Sequence, residues 1–278
     1  MREAHRAMAS KSQWIDAMFR SLQIASTGMS AEESKLDTVA NNLANSNTTG
    51  YKRQEAEFED LLYQNARSAG PTENGGVEPT GTQVGSGVRV VATSRFFSQG
   101  AIQQTGNPLD IAIEGTGMLA VSRSNGEIAY TRAGTMKLDA QGRMVTSDGL
   151  PVEPPITVPA DATSLTIGED GTVSAVQPGQ HVANVLGQLQ IVTFANPNGL
   201  NAIGHNLFLA SGASGEPNTG VPGKDGRGTL MQGALESSNV DVVNEMIGMI
   251  RAQRSYEMNS KVVAAADEML RNATQMGG

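Results

Sequence analysis

Few residues in this sequence have the types and spacing that chemistry requires. The three histidines, His5, His181 and His205, are far apart and lie in polar or loop contexts, and the chain has no cysteine. Protein zinc sites are built from histidine, cysteine and carboxylate ligands at short spacings, and no such spacing occurs here. The histidines are therefore interpreted as solvated or hydrogen-bonded side chains, not as metal ligands or catalytic bases.

Two short motifs suggest binding chemistry at first sight. The segment "EGTGM" (114–118) contains Gly-x-Gly, but it lacks the third glycine and the following helix of a dinucleotide-binding loop. The segment "LDAQGRM" (138–144) matches half of a calcium loop and lacks the remaining acidic positions, so a hairpin turn is predicted instead. We expect a protein that is not an enzyme and that has no cofactor-binding or metal site.

Composition narrows the classes of partner. The 278 residues carry a net charge of −8, which argues against nucleic acid and anionic membranes as partners. No apolar run approaches the roughly 20 residues of a membrane span, and no apolar segment of a signal peptide follows "MREAHRAMASKSQ". We therefore expect no cleaved signal peptide, and nothing indicates a small-molecule substrate.

The two ends of the chain predict long helices, each about 45–50 Å in length at 1.5 Å per residue. Over 14–45, apolar residues recur every seven positions: Ile15, Leu22, Met29, Leu36 and Leu43. Over 239–275 the same period gives Val242, Met249, Tyr256, Val263 and Leu270, with Asn239 or Asp241 as a candidate cap. These rows must be covered by other groups, either by pairing of the two helices as a stalk or by packing against other copies. Small residues beside the rows (Ser26, Ala252 and Ala266) favour packing between copies.

Between the helices the period changes from seven to two. "LDIAIEG" (109–115) alternates apolar and other residues, and short β-like runs are separated by turn dipeptides such as Asn125-Gly126 and Asp170-Gly171. The predicted fold is α+β, with long N- and C-terminal helices forming a coiled-coil-like assembly domain and an inserted all-β central domain. The predicted segments are an extension and helix (1–46), a connector (47–90), a β domain (91–220), a return connector (221–238) and a helix (239–278). The Gly- and Pro-rich stretch 64–87 has the composition of a flexible linker.

Four long motifs resemble the bacterial flagellar rod and hook proteins. They are "SLQIASTGMSAEESKLDTVANNLANSNTTGYKR" (21–53), "NPLDIAIEGTGMLAV" (107–121), "YTRAGTMKLDAQGRMVTSDGLPV" (130–152) and "QGALESSNVDVVNEMIGMIRAQRSYEMNSKVVAAADEML" (232–270). The resemblance covers 18–274 in the family's order, and residues 1–17 form an extension. The segment "FEDLLYQNARSAGPTENGGVEPTGTQVGSGV" (58–88) resembles the extra segment of the distal rod members.

The resemblance implies a structural subunit that polymerises with itself into the basal-body rod. It implies export through the flagellar type III apparatus, a place in the periplasm-spanning rod, and contacts with proximal rod, hook and L- and P-ring proteins. The assembly interface would include both helical rows and the asparagines Asn41, Asn42 and Asn45 at the end of the first helix. Asparagine is a poor helix former, and its amide both donates and accepts hydrogen bonds, so these residues suit neutral contacts between subunits. The alternative for them is local capping, with Asn47 to Gly50 forming the turn out of the helix.

Three functions other than a distal rod subunit are alternatives for this sequence. Another axial subunit, such as a proximal rod or hook protein, shares most of the motifs. A peptidoglycan-cleaving rod enzyme would need an additional catalytic domain, for which no residues remain. A carbohydrate-binding β module would need exposed aromatic residues, and only 4% of the chain is aromatic.

Overall fold

The computed structural model describes residues 2–67, 70–71, 77–78, 80–179 and 182–275, with side chains from residue 18 onwards except at 66–79, 273 and 274. The chain is α+β, as predicted, with two long helices enclosing an all-β region. The helices are α1 (Arg2–Ala44) and α2 (Val242–Gln275). The strands before residue 110 are β1 (Gln54–Asp60), β2 (Tyr63–Arg67), β3 (Gly70–Pro71), β4 (Val77–Glu78), β5 (Thr82–Gly85), β6 (Val88–Arg95) and β7 (Ile102–Gln104).

The remaining strands follow in chain order. They are β8 (Ile111–Glu114), β9 (Met118–Ser122), β10 (Ile128–Thr131), β11 (Met136–Leu138), β12 (Met144–Thr146), β13 (Val152–Glu153), β14 (Ser164–Ile167), β15 (Thr172–Val176), β16 (Asn184–Gln188), β17 (Ile191–Thr193), β18 (Asn201–Gly204), β19 (Leu207–Leu209), β20 (Asn218–Gly220), β21 (Thr229–Gln232) and β22 (Ala234–Glu236). The short β-like runs of the sequence are thus confirmed as strands.

The chain forms two compact units, each built from separate stretches. The helical unit comprises Met1–Asn41, Gln54–Ser94 and Val243–Gly278. The β unit comprises Asn42–Arg53 and Arg95–Val242. The predicted segment boundaries differ from these units, because residues 42–53 and 221–242 belong to the β unit and do not act as simple connectors.

In the helical unit, α1 and α2 pair through small residues. A methyl group placed on Gly28 would lie 2.9 Å from Nδ2 of Asn259, and one on Gly248 would lie 3.8 Å from Cγ2 of Val39. The two contacts are the same number of residues apart on each helix and run in opposite chain directions, so the helices are antiparallel. Small side chains let helix backbones approach closely, which explains why Ala252 is fully buried on this side.

Residues 54–95 form a two-stranded ribbon and not a flexible linker. Strand β1 pairs with β6, and β2 with β5 and β3 with β4 are antiparallel pairs. The described residues of 64–87 include paired strands and so depart from the linker prediction, because Gly- and Pro-rich composition hides the pairing of "YQNAR" with "TQVG". Residues 68–69, 72–76 and 79 lie outside the described residues. The ribbon contacts α1 where the backbone NH of Val88 donates to Oγ1 of Thr27, at 3.4 Å.

The β unit contains a seven-stranded sheet with several smaller ones. Its order is β18-β19-β10-β9-β17-β20, with β13 paired to β9. The largest core cluster consists of apolar residues from many strands: Ile111, Ile113, Leu119, Met136, Met144, Val152, Ile156, Val158, Ile167, Val173, Leu189, Ile191 and Leu230. The predicted turn glycines have the positive φ angles that a tight turn requires, such as 85° at Gly126 and 82° at Gly171.

The predicted return connector (221–238) contains two strands. Strand β21 pairs with β8, and β22 pairs with β7. A connector was predicted here because the stretch overlaps the Gly-rich segment 212–228. In addition, Gly233 separates the two short strands, with a φ of 72°. The last strands before α2 thus complete sheets that the first strands of the β unit begin.

Candidate functional site

The motifs that suggested binding chemistry have structural roles. In the GxG segment, a methyl group on Gly117 would lie 2.0 Å from Cγ2 of Ile191, so this glycine permits close packing. Asp139 accepts hydrogen bonds from the backbone NH of Gln141 and of Arg143, at 2.9 and 2.8 Å, which closes the hairpin predicted in place of a calcium loop. Burial alone would raise the pKa of Asp139, but these backbone bonds together with the side chain of Arg143 hold the pKa below its ordinary value.

No catalytic or metal-binding constellation occurs among the residues that the structure describes. In that part of the chain there is no group of three or more histidine, aspartate or glutamate side chains that could hold a metal ion. His205 is mostly exposed, with Nδ1 3.3 Å from Oδ2 of Asp148, whereas the side chains of His5 and His181 lie outside the described residues. No described helix is long and apolar enough to span a membrane.

The predicted helical rows lie at the margin of the contact between α1 and α2. Leu22, Met29 and Leu36 are half-buried in the helical unit, and Val263, Met249 and Leu270 are likewise half-buried on α2. Val242 and Tyr256 are exposed. Among the described side chains of α1 and α2, the buried apolar ones are instead Ala25, Ala31, Val39, Ala252 and Ala266, and the polar Asn42 and Glu245 are buried as well. The seven-residue period thus located the helices, but the small residues beside the rows form their mutual contact.

Exposed apolar side chains on α2 lie opposite Ala252 in its first turns and along one flank further on. We call this surface the outer face of α2 and define it by its exposed side chains: Val243, Met246, Ile247, Ile250, Met258, Val262 and Met269. At 100° per residue the first four lie on the side opposite Ala252, whereas the last three lie on the flank, with Val262 one turn before the buried Ala266. Contiguous exposed apolar patches of this kind mark interaction sites in soluble proteins. A single heptad row does not reveal this face, because its members lie outside that row.

The asparagines at the end of α1 have partners within their own chain. Asn42 is buried and its Oδ1 accepts a hydrogen bond from the Tyr51 hydroxyl at 3.2 Å. Oδ1 of Asn45 accepts a hydrogen bond from Oγ1 of Thr48 at 3.1 Å, and Leu43 beside it is half-buried. Asn41 is exposed. Both bonds join side chains within residues 42–51, and the role of these asparagines in an assembly interface stays a prediction.

Asn239 joins three segments and does not cap α2. Its Oδ1 accepts from the backbone NH of Arg53 at 2.7 Å, and its Nδ2 donates to the carbonyl oxygens of Phe96 and Ser98 at 2.8 and 3.1 Å. The side-chain amide of Asn239 therefore connects three parts of the β unit: Arg53 before β1, the segment 96–98 before β7, and its own segment before α2. Sequence alone gave no sign of these long-range partners.

A buried cluster of three charges lies at the same place in the β unit. Nζ of Lys52 is 2.7 Å from Oε1 of Glu236, and Nε of Arg132 is 2.5 Å from Oε2 of the same carboxylate. Lys52 and Glu236 are each 1% exposed. We call these three residues the charge cluster. The only sequence signal for it is the alternation in β22, which places Glu236 on the same inward face as Ala234.

Burial and charge act in opposite directions within the charge cluster. Burial alone would raise the pKa of Glu236, but the charge of Arg132 and the hydrogen bonds from Lys52 and Arg132 keep that pKa below its ordinary value. Burial lowers the pKa of Lys52, and the contact with Glu236 only partly offsets this effect. Removing the carboxylate would leave two buried cations without their shared partner.

Comparison with known proteins identifies the family. Three family descriptions match: "Flagella basal body rod protein" over 22–52, "Flagellar hook protein FlgE/F/G D1 domain" over 112–175 and "Flagellar basal body rod FlgEFG protein C-terminal" over 231–276. The flagellar basal-body rod protein FlgG of Caulobacter vibrioides is 46% identical over 92% of this chain and 99% of its own length. The protein of the same name from Borreliella burgdorferi is 46% identical over 91% and 97%, and that from Bacillus subtilis 40% identical over 93% and 99%. The chain therefore belongs to the flagellar rod and hook protein family, among the relatives named basal-body rod proteins.

Proposed function

We propose that the chain is a structural subunit of the flagellar distal rod. In this role, copies polymerise into a helical homopolymer that transmits torque from the motor to the hook. The proposal includes contacts with proximal rod, hook and L- and P-ring proteins, export through the flagellar type III apparatus without a cleaved signal peptide, and no enzymatic activity. The identity to rod proteins over nearly the whole length supports this assignment.

The outer face of α2 is the single observation that best supports polymerisation. The face is apolar and exposed in one chain, although α2 already has an intramolecular partner in α1. Burying such side chains against another copy would stabilise an assembly by roughly 1.5–3 kcal/mol for each large residue. The half-buried row from Leu22 to Leu43 and the half-buried or exposed row from Val242 to Leu270 would be covered further by neighbouring helices in the same assembly.

The ribbon 54–95 contains the segment 58–88, whose resemblance to the extra segment of distal rod members supports the distal rod over other axial subunits. It carries several exposed apolar side chains, including Leu62 (89% exposed), Tyr63 and Val91. An isolated two-stranded ribbon is marginally stable in water. We therefore expect neighbouring copies in the rod to cover these apolar side chains, and we expect this contact to stiffen the rod. Deleting 64–87 should leave polymerisation intact and produce a more flexible or curved rod, whereas a straight and unchanged rod after the deletion would contradict this role.

Electron microscopy of basal bodies from a strain that lacks the protein tests the assignment. A distal rod subunit predicts basal bodies with a proximal rod but without the distal rod. Loss of the whole rod would indicate a proximal rod subunit, and a complete rod without a hook would indicate the hook alternative. Purified wild-type chain should also form filaments in solution, because polymerisation relies on its own surfaces.

A further inference from the structure

We infer that Glu236 gates the folding of the β unit, which stays unfolded until the chain as far as this residue is available. The reason is electrostatic. Folding of the β unit buries the cations of Lys52 and Arg132, but the carboxylate that they share comes from β22, the last strand of the β unit. This inference concerns the order of folding and does not depend on the proposed function.

The chain order within the charge cluster creates the gate. Glu236 follows Arg132 by 104 residues and Lys52 by 184 residues. A chain synthesised from its amino terminus therefore contains both cations, and most of the core strands, well before the carboxylate exists. Folding at that stage would bury two positive charges without a counter-ion, which strongly disfavours the folded state.

No other acidic group of the β unit takes the place of Glu236 in these contacts. Besides Glu236, Nζ of Lys52 donates to the carbonyl oxygen of Ser98 at 2.7 Å. The guanidinium of Arg132 donates to the carbonyl oxygens of Ile113, Gly115 and Gly117 at 3.0, 2.6 and 2.6 Å. These acceptors are neutral.

Asp110, a second buried carboxylate of the β unit, is engaged elsewhere. Its two oxygens accept from Oγ1 of Thr105 at 2.7 Å and Nδ2 of Asn107 at 3.0 Å. It is therefore committed to the loop that precedes β8 and supplies no charge to Lys52 or Arg132.

The carboxylate also organises the backbone around it. Oε1 of Glu236 accepts from the NH of Gly100 at 2.8 Å, and the carbonyl oxygen of Glu236 accepts from the NH of Gly50 at 2.8 Å. Glu236 therefore supplies the counter-ion that Lys52 and Arg132 share, and its contacts also join the segments at 50–52 and 98–101. The expected behaviour is that the β unit folds in one all-or-none transition, which requires β22 to be present.

The full-length variant Glu236→Gln tests the electrostatic part, because it keeps β22 and removes only the charge. We expect hydrogen exchange of the strands β8 to β10 to lose most of its protection, and the midpoint of thermal unfolding to fall by about 10 °C or more. The matched control is Glu127→Gln, which removes an exposed ion pair with Arg123 and should leave both readouts unchanged.

A second variant separates charge from any other effect of the substitution. Lys52→Met combined with Glu236→Gln restores the wild-type excess of one buried positive charge. We expect this double variant to regain most of the protection that the single variant loses. Wild-type stability of Glu236→Gln would overturn the inference, and so would failure of the double variant to recover protection, because the late strand and not its charge would then control folding.

Discussion

Gly50 shows at the scale of one residue how the turn after α1 fits the β unit. Its φ is 69°, a conformation that favours glycine. A methyl group there would lie 2.7 Å from the backbone nitrogen of Ala133 and 2.8 Å from the carbonyl oxygen of Arg132. The turn thus brings Lys52 into the charge cluster by passing directly over the chain next to Arg132.

Gly50→Ala should destabilise the β unit through two additive effects. The left-handed conformation costs about 1–2 kcal/mol for a residue with a Cβ, and the clash with rigid backbone adds a similar amount. Chemical denaturation followed by circular dichroism should show a loss of about 2–4 kcal/mol in unfolding free energy.

Gly126→Ala is the matched control for this substitution. Gly126 has a φ of 85° and no atom within 4 Å of its Cβ position, so only the conformational cost remains. A loss at Gly50 no larger than that at Gly126 would contradict the close approach of the turn to Ala133.

At this scale the sequence predicts the backbone conformation of a residue, but it does not predict which distant residues that residue contacts. The run "SNTTGYK" predicted the turn and the positive φ of Gly50. The contacts of Gly50 with Ala133, and those of Lys52 with Glu236, join positions far apart in the chain. Nothing in local periodicity specifies such pairs, which depend on how the strands are ordered in the finished sheets.

The ribbon and α1 contact each other closely at the scale of elements. Gly87 has a φ of 113°, and a methyl group on it would lie 2.1 Å from Oγ1 of Thr27. Its carbonyl oxygen accepts from the NH of Leu61 at 2.9 Å, which connects the two strands near the same point. One glycine therefore positions the ribbon against the helix.

Gly87→Ala should loosen the ribbon and leave the β unit intact. The substituted residue would displace the strand from Thr27, so we expect faster proteolysis within 54–95 and an unchanged unfolding midpoint of the β unit. Gly85→Ala is the control, because its Cβ would make only an ordinary contact of 3.4 Å with the Tyr63 ring. Equal protease resistance of the two variants would contradict this anchoring role.

At the scale of elements, the sequence predicted the presence of both helices better than it predicted which face of each helix is buried. Seven-residue spacing correctly indicated both helices, although α1 begins at Arg2, well before the predicted start at 14. Which stripe faces inwards depended on side-chain size: Ala252 and Ala266 are buried because they let the helices approach. The larger residues of the rows remain at the margin, since a close contact has no room for them.

The division into two units makes a prediction for the whole molecule. Lys52 belongs to the β unit, and its Nζ is bonded to Glu236. We expect limited proteolysis to produce a resistant core that retains residues 42–53 and 95–242, with cleavage in the ribbon and in the terminal helices. Mass spectrometry of the fragments checks this, and a stable core lacking residues 42–53 would contradict the described β unit.

The central claim is that copies of this chain assemble through their terminal helices. Ile247 and Ile250 lie on the outer face of α2 and are 43% and 49% exposed, so replacing both with aspartate should alter the isolated chain little. In an assembly, the same change would remove roughly 1.5–3 kcal/mol of apolar burial at each site and bury unpaired carboxylates in every subunit. Ile250→Leu, which keeps the apolar surface, is the control.

The most direct measurement is negative-stain electron microscopy of purified wild-type, control and Ile247→Asp/Ile250→Asp chains under identical polymerising conditions. Thermal unfolding of each chain is recorded alongside, to establish that the β unit is intact. We predict filaments from the wild-type and control chains and only monomers from the double aspartate variant, at an unchanged unfolding midpoint. Normal filaments from that variant would contradict assembly through the outer face of α2.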